Sequence, residues 1–194
     1  MEWRWWLMRN VKAKLIHYSR LAHEKGLTGS FGGNLSVRVG DYVFIKGTGS
    51  VMGELSSSQI ATIKLNGEVI SSVRPSSEFR LHIGVYKNRE DVRAVVHLHP
   101  PYSITLSMFK EELPMLTPEA ELYLSKVPVL PFKPAGSIEL ADQVSEAMKS
   151  YNAVILQNHG IVTVGRSLRE AFYRAELVEE VARLWYQKFI APKA

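Results

Sequence analysis

Stretches in which apolar residues recur every three to four positions exchange places along this chain with short runs that alternate or are continuously apolar. The first spacing is that of a buried helix face and the second that of a strand. Residues 11–25 predict a helix with Val11, Leu15, Leu21 and Ala22 on one side and Gly26 as its C-cap. His17 and His23 sit on it in a structural role. A glycine-rich segment, 26–34, feeds a strand over 35–39, and Gly40-Asp41 turns the chain into a partner over 42–46. Residues 61–65 and 68–71 flank Asn66-Gly67, a strong hairpin signal. A helix over 77–88, a strand over 92–98, a helix over 102–109 and a strand over 126–130 follow. Ile138, Ala141, Val144 and Met148 stripe a helix over 137–149, and adjacent strands cover 153–157 and 160–164. The last helix opens on a capping box, Ser167-Leu168-Arg169-Glu170. Its apolar stripe of Leu168, Ala171, Phe172, Ala175, Val178, Ala182 and Trp185 seats it on a core. Hairpins mixed with helices predict an α+β domain whose central sheet is mostly antiparallel and flanked by helices.

The length fits one domain over 1–194, with 1–10 as an N-terminal extension. An apolar share of 46% with 22% charge is ordinary for a folded domain. The chain has no cysteine, which excludes a disulfide framework and a thiolate metal site and leaves histidine and carboxylate as ligands. No apolar run reaches the roughly 18 residues of a membrane span. The start, Met1-Glu2-Trp3-Arg4-Trp5-Trp6-Leu7-Met8, is too short and interrupted for a signal-peptide apolar region. The expectation is a cytoplasmic protein without a membrane partner. A net charge of +5 suits phosphorylated substrates or nucleic acid. The basic residues are scattered, apart from a modest concentration from Arg4 to Lys14, so no nucleic-acid partner is expected. The Trp-rich start reads as an interfacial or partner-binding segment, or as residues ahead of an internal start at Met8.

The chemistry concentrates where predicted strands end. His97-Leu98-His99 closes the run Ala94-Val95-Val96 and stops at Pro100-Pro101. Alternate residues of a strand share a face, so two imidazoles project side by side and can hold a Zn²⁺-like ion at about 2.0–2.1 Å each. His159, in Gln157-Asn158-His159-Gly160, follows another apolar strand, and Glu78 ends Arg74-Pro75-Ser76-Ser77-Glu78. Three histidines and a glutamate make a catalytic-metal inventory, because three protein ligands leave a position open for substrate. Helical spacing places His82 on the same face as Glu78, as a supporting residue and not a ligand. Three small-residue segments offer donors to a phosphate: Gly32-Gly33-Asn34, Gly47-Thr48-Gly49-Ser50 and Pro75-Ser76-Ser77, the last at a helix start. None matches a P-loop or a dinucleotide fingerprint.

The order Gly-Gly-Asn-Leu-Ser (32–36), Thr-Gly (48–49), Pro-Ser-Ser-Glu (75–78), His-Leu-His (97–99) and Asn-His-Gly (158–160) resembles the class II aldolase/adducin family, most closely its fuculose-phosphate aldolase branch. The resemblance covers roughly Leu15 to Tyr186. It implies a three-layer α/β/α domain, a homotetramer with active sites between subunits, and one Zn²⁺ per subunit. By motif position His97, His99 and His159 match the zinc ligands. Glu78 matches the catalytic acid/base, which in that family can also touch the metal when no substrate is present. Asn34, Thr48, Gly49, Ser76 and Ser77 match the phosphate cradle, which Gly33 borders. The implied activity is zinc-dependent, reversible cleavage of a ketose 1-phosphate to dihydroxyacetone phosphate and an aldehyde such as L-lactaldehyde. Two features depart from the pattern. A tyrosine donated by the neighbouring subunit belongs soon after Leu113-Pro114, where this chain reads Met115-Leu116-Thr117-Pro118-Glu119 and has no tyrosine until Tyr123. The chain also ends at Ala194, without the tail that carries a second tyrosine in longer members. A methylthioribulose-1-phosphate dehydratase shares the zinc pattern and the glutamate. A ribulose-5-phosphate 4-epimerase usually has Asp in place of Glu78, and a non-enzymatic adducin-like scaffold is expected to lose the histidines.

Overall fold

The computed structural model describes residues 2–190, with side chains from residue 8 to 190. The aromatic start at Trp3, Trp5 and Trp6 therefore lies outside the described side chains. Among the described residues one sheet holds β1 (Asn34–Val39), β2 (Tyr42–Lys46), β3 (Ile60–Lys64), β4 (Ala94–Leu98), β5 (Val129–Leu130), β6 (Ala153–Leu156) and β7 (Gly160–Gly165). Their order is β3-β2-β1-β4-β7-β6-β5, and every pairing is antiparallel except β5 on β6. The histidine-bearing strand β4 is thus the central one. The helices are α1 (Glu2–Glu24), α2 (Phe79–Asn88), α3 (Pro101–Leu106), α4 (Pro118–Tyr123), α5 (Ile138–Ala147) and α6 (Leu168–Ile190).

Strand alternation sorts the core into two layers. Leu35, Phe44, Val96, Leu98, Ile155 and Ile161 face α1 and α6, joined by Leu15, Phe172, Val178 and Trp185. Val43, Ile45, Ile63, Val95, Val154, Val162 and Val164 face α2 and α5, joined by Leu81, Val85 and Val144. The result is the three-layer α/β/α arrangement, with no helix among the described residues long and apolar enough to cross a membrane. On β4 the alternation Val95, His97 puts the first histidine on the α2 side.

Several predicted elements shift. The first helix begins at Glu2 instead of residue 11. The second begins at Phe79, because Ser77 and Glu78 remain in the approaching loop and Glu78 is the N-cap. Asn66-Gly67 does turn the chain, with Gly67 N–H donating to the Lys64 carbonyl at 2.8 Å, but the return segment pairs only at Ile63 and Val69. Val69 and Ile70 stay exposed, so nothing is gained by extending that strand. Ile138 is 62% exposed and does not join the stripe of α5. The segment at 126–130 narrows to β5 at the sheet edge. At α6, Glu170 N–H donates to Ser167 Oγ at 3.1 Å, while the Glu170 carboxylate accepts from Arg166 N–H at 2.8 Å, one residue earlier than a capping box requires. Helix α4, opened by Thr117 Oγ1 accepting from Ala120 N–H, has no counterpart in the sequence reading.

The turn from β6 to β7 packs against the end of β4 through Gly160. A Cβ there would collide with the Leu98 carbonyl oxygen and lie 2.8 Å from His99 Cδ2. Backbone cannot yield as a flexible side chain would, so Gly160→Ala should destabilise the metal-free protein by about 1–3 kcal/mol. Urea denaturation measures this, and an unchanged midpoint would mean that β4 and the turn move apart freely.

Candidate metal centre

His97 leaves the sheet on the face covered by α2, fully buried, and its Nδ1–H donates to the Ile161 carbonyl at 2.9 Å. That bond leaves Nε2 as the inward atom. His99, just past the strand end, brings its Nε2 to 2.9 Å from His97 Nε2. His159 stands in the β6–β7 turn, after Asn158 at φ +58°. Its ring centroid lies 4.9 Å from that of His97 and 5.0 Å from that of His99. Glu78 reaches in from the mouth of α2. Its Oε2 lies 2.9 Å from His97 Nε2, and its Oε1 lies 3.3 Å from His159 Nε2 with no hydrogen-bond partner. One donor atom from each of the four residues falls within 4.8 Å of the others.

These atoms are mostly acceptors, and acceptors facing one another in a buried space repel unless a cation or a proton lies between them. Burial disfavours charge on His97, but the Glu78 carboxylate outweighs it and raises the imidazole pKa. Burial likewise opposes ionisation of Glu78, but His97, His159 and Asn34 overcome it and hold the carboxyl well below its ordinary range. His99 and His159 go the other way. Burial, with His97 adding to it, pushes them down to about 3 and about 4, so both are neutral at neutral pH. Three imidazoles and a carboxylate suit a divalent transition ion such as Zn²⁺, which would take the place of the His97 proton.

A chain of hydrogen bonds runs from the sheet into Glu78. Asn34 Nδ2–H donates to Glu78 Oε2 at 3.1 Å, so its Oδ1 faces away and accepts from His82 Nε2–H. His82 Nδ1 must then accept from the Ser36 hydroxyl at 2.7 Å, which in turn accepts from Tyr86 OH at 2.8 Å. Every donor points toward the carboxylate. Burial, with His97 nearby, drops the His82 pKa to about 3 and keeps it neutral, as this tautomer requires.

The three small-residue segments meet around the same sheet end. Gly33, at φ +73°, turns the chain into β1 beside the His97 carbonyl. Thr48 N–H donates to the Arg74 carbonyl at 3.0 Å, and Ser76 N–H donates to the Lys46 carbonyl at 3.0 Å, lacing the 46–49 and 74–77 loops together. Thr48, Gly49 and Ser77 are exposed; Ser76 is buried, with its Oγ accepting from Glu78 N–H at 3.3 Å. Asn34 is engaged by both Glu78 and His82, a position the sequence reading did not foresee. Lys46 was missed as well. It is only 4% exposed, burial lowers its pKa, and Glu78 pulls the other way. The available signal was a lysine closing the apolar strand Tyr42-Val43-Phe44-Ile45 just before Gly47-Thr48-Gly49. Tyr123 ends α4 and is exposed.

A family model described as Class II Aldolase and Adducin N-terminal domain matches residues 13–186. An L-fuculose phosphate aldolase from Methanococcus maripaludis is 39% identical over 176 residues, covering 89% of this chain and 96% of the relative. A 3-oxo-tetronate 4-phosphate decarboxylase from Pectobacterium atrosepticum is 31% identical, covering 91% of this chain and 84% of its own. Among solved structures, an L-fuculose 1-phosphate aldolase superposes with a TM-score of 0.87 at 33% identity, over 95% of this chain and 90% of that one.

The histidine shifts give a pH dependence. Unfolded, His82, His99 and His159 would take up protons near pH 6.5, whereas folded they resist until about 3, 3 and 4. Between those values the unfolded state binds more protons, so stability falls as pH falls. Glu78, held low, adds to the loss below its unfolded value, while His97, raised by Glu78, and Glu179, raised by burial, oppose it without offsetting three histidines. The melting temperature of chelator-treated protein should therefore drop between about pH 7.5 and about pH 5. A flat profile over that range would contradict the neutral, buried histidines.

Proposed function

From the premise that the chain belongs to the class II aldolase and adducin family, as a metal-dependent lyase, we propose that it is a cytoplasmic, zinc-dependent aldolase. It cleaves a ketose 1-phosphate of the L-fuculose 1-phosphate type, reversibly, to dihydroxyacetone phosphate and an aldehyde such as L-lactaldehyde. The observation that carries this reading is the convergence of His97, His99 and His159 on Glu78, with one carboxylate oxygen held and the other unpartnered.

In this reading the three histidines hold the ion, which supplies Lewis-acid stabilisation of the negative charge left when the C3–C4 bond breaks. Glu78 moves the proton at the carbon that becomes the hydroxymethyl carbon of dihydroxyacetone phosphate. Its held oxygen, Oε2, fixes the carboxylate, and its free oxygen, Oε1, does the transfer. The laced loops bearing Thr48, Gly49, Ser76 and Ser77 bind the phosphate, with Gly33 bordering them and Lys46 contributing positive charge. Asn34 serves from behind, orienting Glu78 with one amide hydrogen and keeping the other for the phosphate side. Phosphate binding remote from the reacting bond orients the substrate without touching the carbon chemistry. Phe109, Leu122 and Phe132, each more than half exposed in the single chain, support the proposal of a homotetramer.

A substrate panel tests the reading. Zinc-loaded protein should condense dihydroxyacetone phosphate with short aldehydes and cleave fuculose 1-phosphate faster than it consumes 3-oxo-tetronate 4-phosphate, methylthioribulose 1-phosphate or ribulose 5-phosphate. Preference for any of the last three would replace the aldolase assignment. Ser76→Ala should weaken binding of phosphorylated substrate by about 1–3 kcal/mol and leave a non-phosphorylated analogue almost unaffected. Glu78→Gln should retain the metal and lose about 10²–10⁴-fold in the exchange of the hydroxymethyl proton of dihydroxyacetone phosphate with solvent deuterium. Undiminished exchange in that variant would assign the proton transfer to another group.

A further inference from the structure

Glu179 is a buried carboxylate for which neither the metal site nor the phosphate loops have a use. It lies on the inward face of α6, 8% exposed, between Val178 and Ala182. A carboxylate in such a place is costly unless its oxygens are fully engaged. They are engaged by the start of α3: Oε1 accepts from Tyr102 N–H at 2.9 Å, and Oε2 accepts from Ser103 N–H at 2.8 Å and from the Ser103 hydroxyl at 2.7 Å. Arg183, further along α6, acts on it only through space.

The position of α3 makes this bond set matter to the site. Only Pro100 separates His99 from α3, which itself opens on Pro101, and the two proline rings fix φ and remove two rotations from the link. Fixing Tyr102 and Ser103 therefore fixes the backbone that carries the His99 ring. At the other end of α3, Ser107 Oγ donates to the Ile104 carbonyl at 2.6 Å and accepts from Asn158 N–H at 3.0 Å. Asn158 is the left-handed residue directly before His159. Helix α3 thus spans the two half-buried histidines of the cluster, with Glu179 at one end and Ser107 at the other.

We propose that Glu179 is a positioning residue for the metal centre: through α3 it sets the separation of His99 from His159. The proposal rests on the reading of those histidines as metal ligands. Its chemistry is specific to a carboxylate. An amide at the same position would offer one accepting oxygen and would turn an N–H₂ group toward backbone N–H donors.

The test uses the full chain, stripped of metal and titrated with Zn²⁺ and with Co²⁺, whose visible spectrum reports ligand geometry. Wild-type protein should bind one ion per chain. Glu179→Gln should bind Zn²⁺ about 10- to 100-fold more weakly and show an altered Co²⁺ spectrum. Glu179→Asp should restore part of both, and Ser107→Ala should shift the spectrum in the same sense. Thermal unfolding of the metal-free variants is measured alongside. A Glu179→Gln protein with a lowered melting temperature but wild-type affinity and spectrum would overturn the proposal, leaving Glu179 a purely structural cap. If Glu179→Gln does not fold, Ser103→Ala removes one of the three bonds, and wild-type zinc affinity and spectrum in that variant would overturn it equally. Wild-type protein that binds no ion, or His99→Ala protein that binds as well as wild type, would instead overturn the ligand reading itself.

Discussion

A carboxylate buried against an imidazole at the middle of a sheet is the constraint around which this domain is arranged. Glu78 and His97 are both nearly inaccessible, and each shifts the other toward its charged form against the cost of burial. Neither charge would survive there alone. The environment that makes the pairing possible draws on Asn34 and Ser36 from β1, His82 and Tyr86 from α2, and the Ile161 carbonyl from β7. The face of β1 toward α2 is given over to polar groups, Asn34, Ser36 and Arg38, where an apolar core would otherwise stand. The compensation is that Asn34 and Ser36 are engaged with Glu78 Oε2, His82 and Tyr86, which stiffens one side of the carboxylate and leaves Oε1 unpartnered.

Much of this was legible in the sequence because it depends on local periodicity. The stripe of α6, the alternation along β4 and the two histidines on one face follow from spacing alone, and the structure has them as read. What was not legible depends on partners distant in sequence. The sequence predicts a strand over 35–39, but not that α2 covers the face of Asn34 and Ser36, where Ser36 is fully inaccessible. The sequence places Glu78 inside a helix from 77, but Ser76 is bonded to Lys46 and Ser77-Glu78 form a turn, so the helix starts at Phe79. Glu68 to Ser71 has strand composition and a good turn before it, but no third strand lies beyond to cover it. Lys46 looked like the polar end of a strand, and only the fold shows that its end lies beside Glu78.

The site also separates its tasks by element. The three histidines stand at one end of the sheet, His97 on β4 between β1 and β7, His99 just past that strand and His159 in the β6–β7 turn. The donors proposed for the phosphate lie on loops tied to each other by backbone bonds, so that their mutual position does not depend on side-chain choice. Glu78 stands at the junction of the two, at the end of one such loop and the start of α2. A change at the exposed side chains of Thr48 or Ser77 leaves those backbone bonds in place, whereas one at Ser76, whose Oγ accepts from Glu78 N–H, or one that unlaces the loops, reaches the carboxylate.

The ring of His99 sits between two glycines: a Cβ on Gly32 would come within 2.6 Å of its Nδ1, and one on Gly160 within 2.8 Å of its Cδ2. Main chain closes in on both edges of the imidazole, and with no room to swing, the ring has already given up its rotamer freedom when the chain folds. An exposed side chain ordered only on binding would forfeit about 0.5–1.5 kcal/mol of affinity at that moment. Here that entropy is lost during folding, so for an ion held as proposed the two small residues would act on affinity by leaving the free and the bound ring the same single orientation.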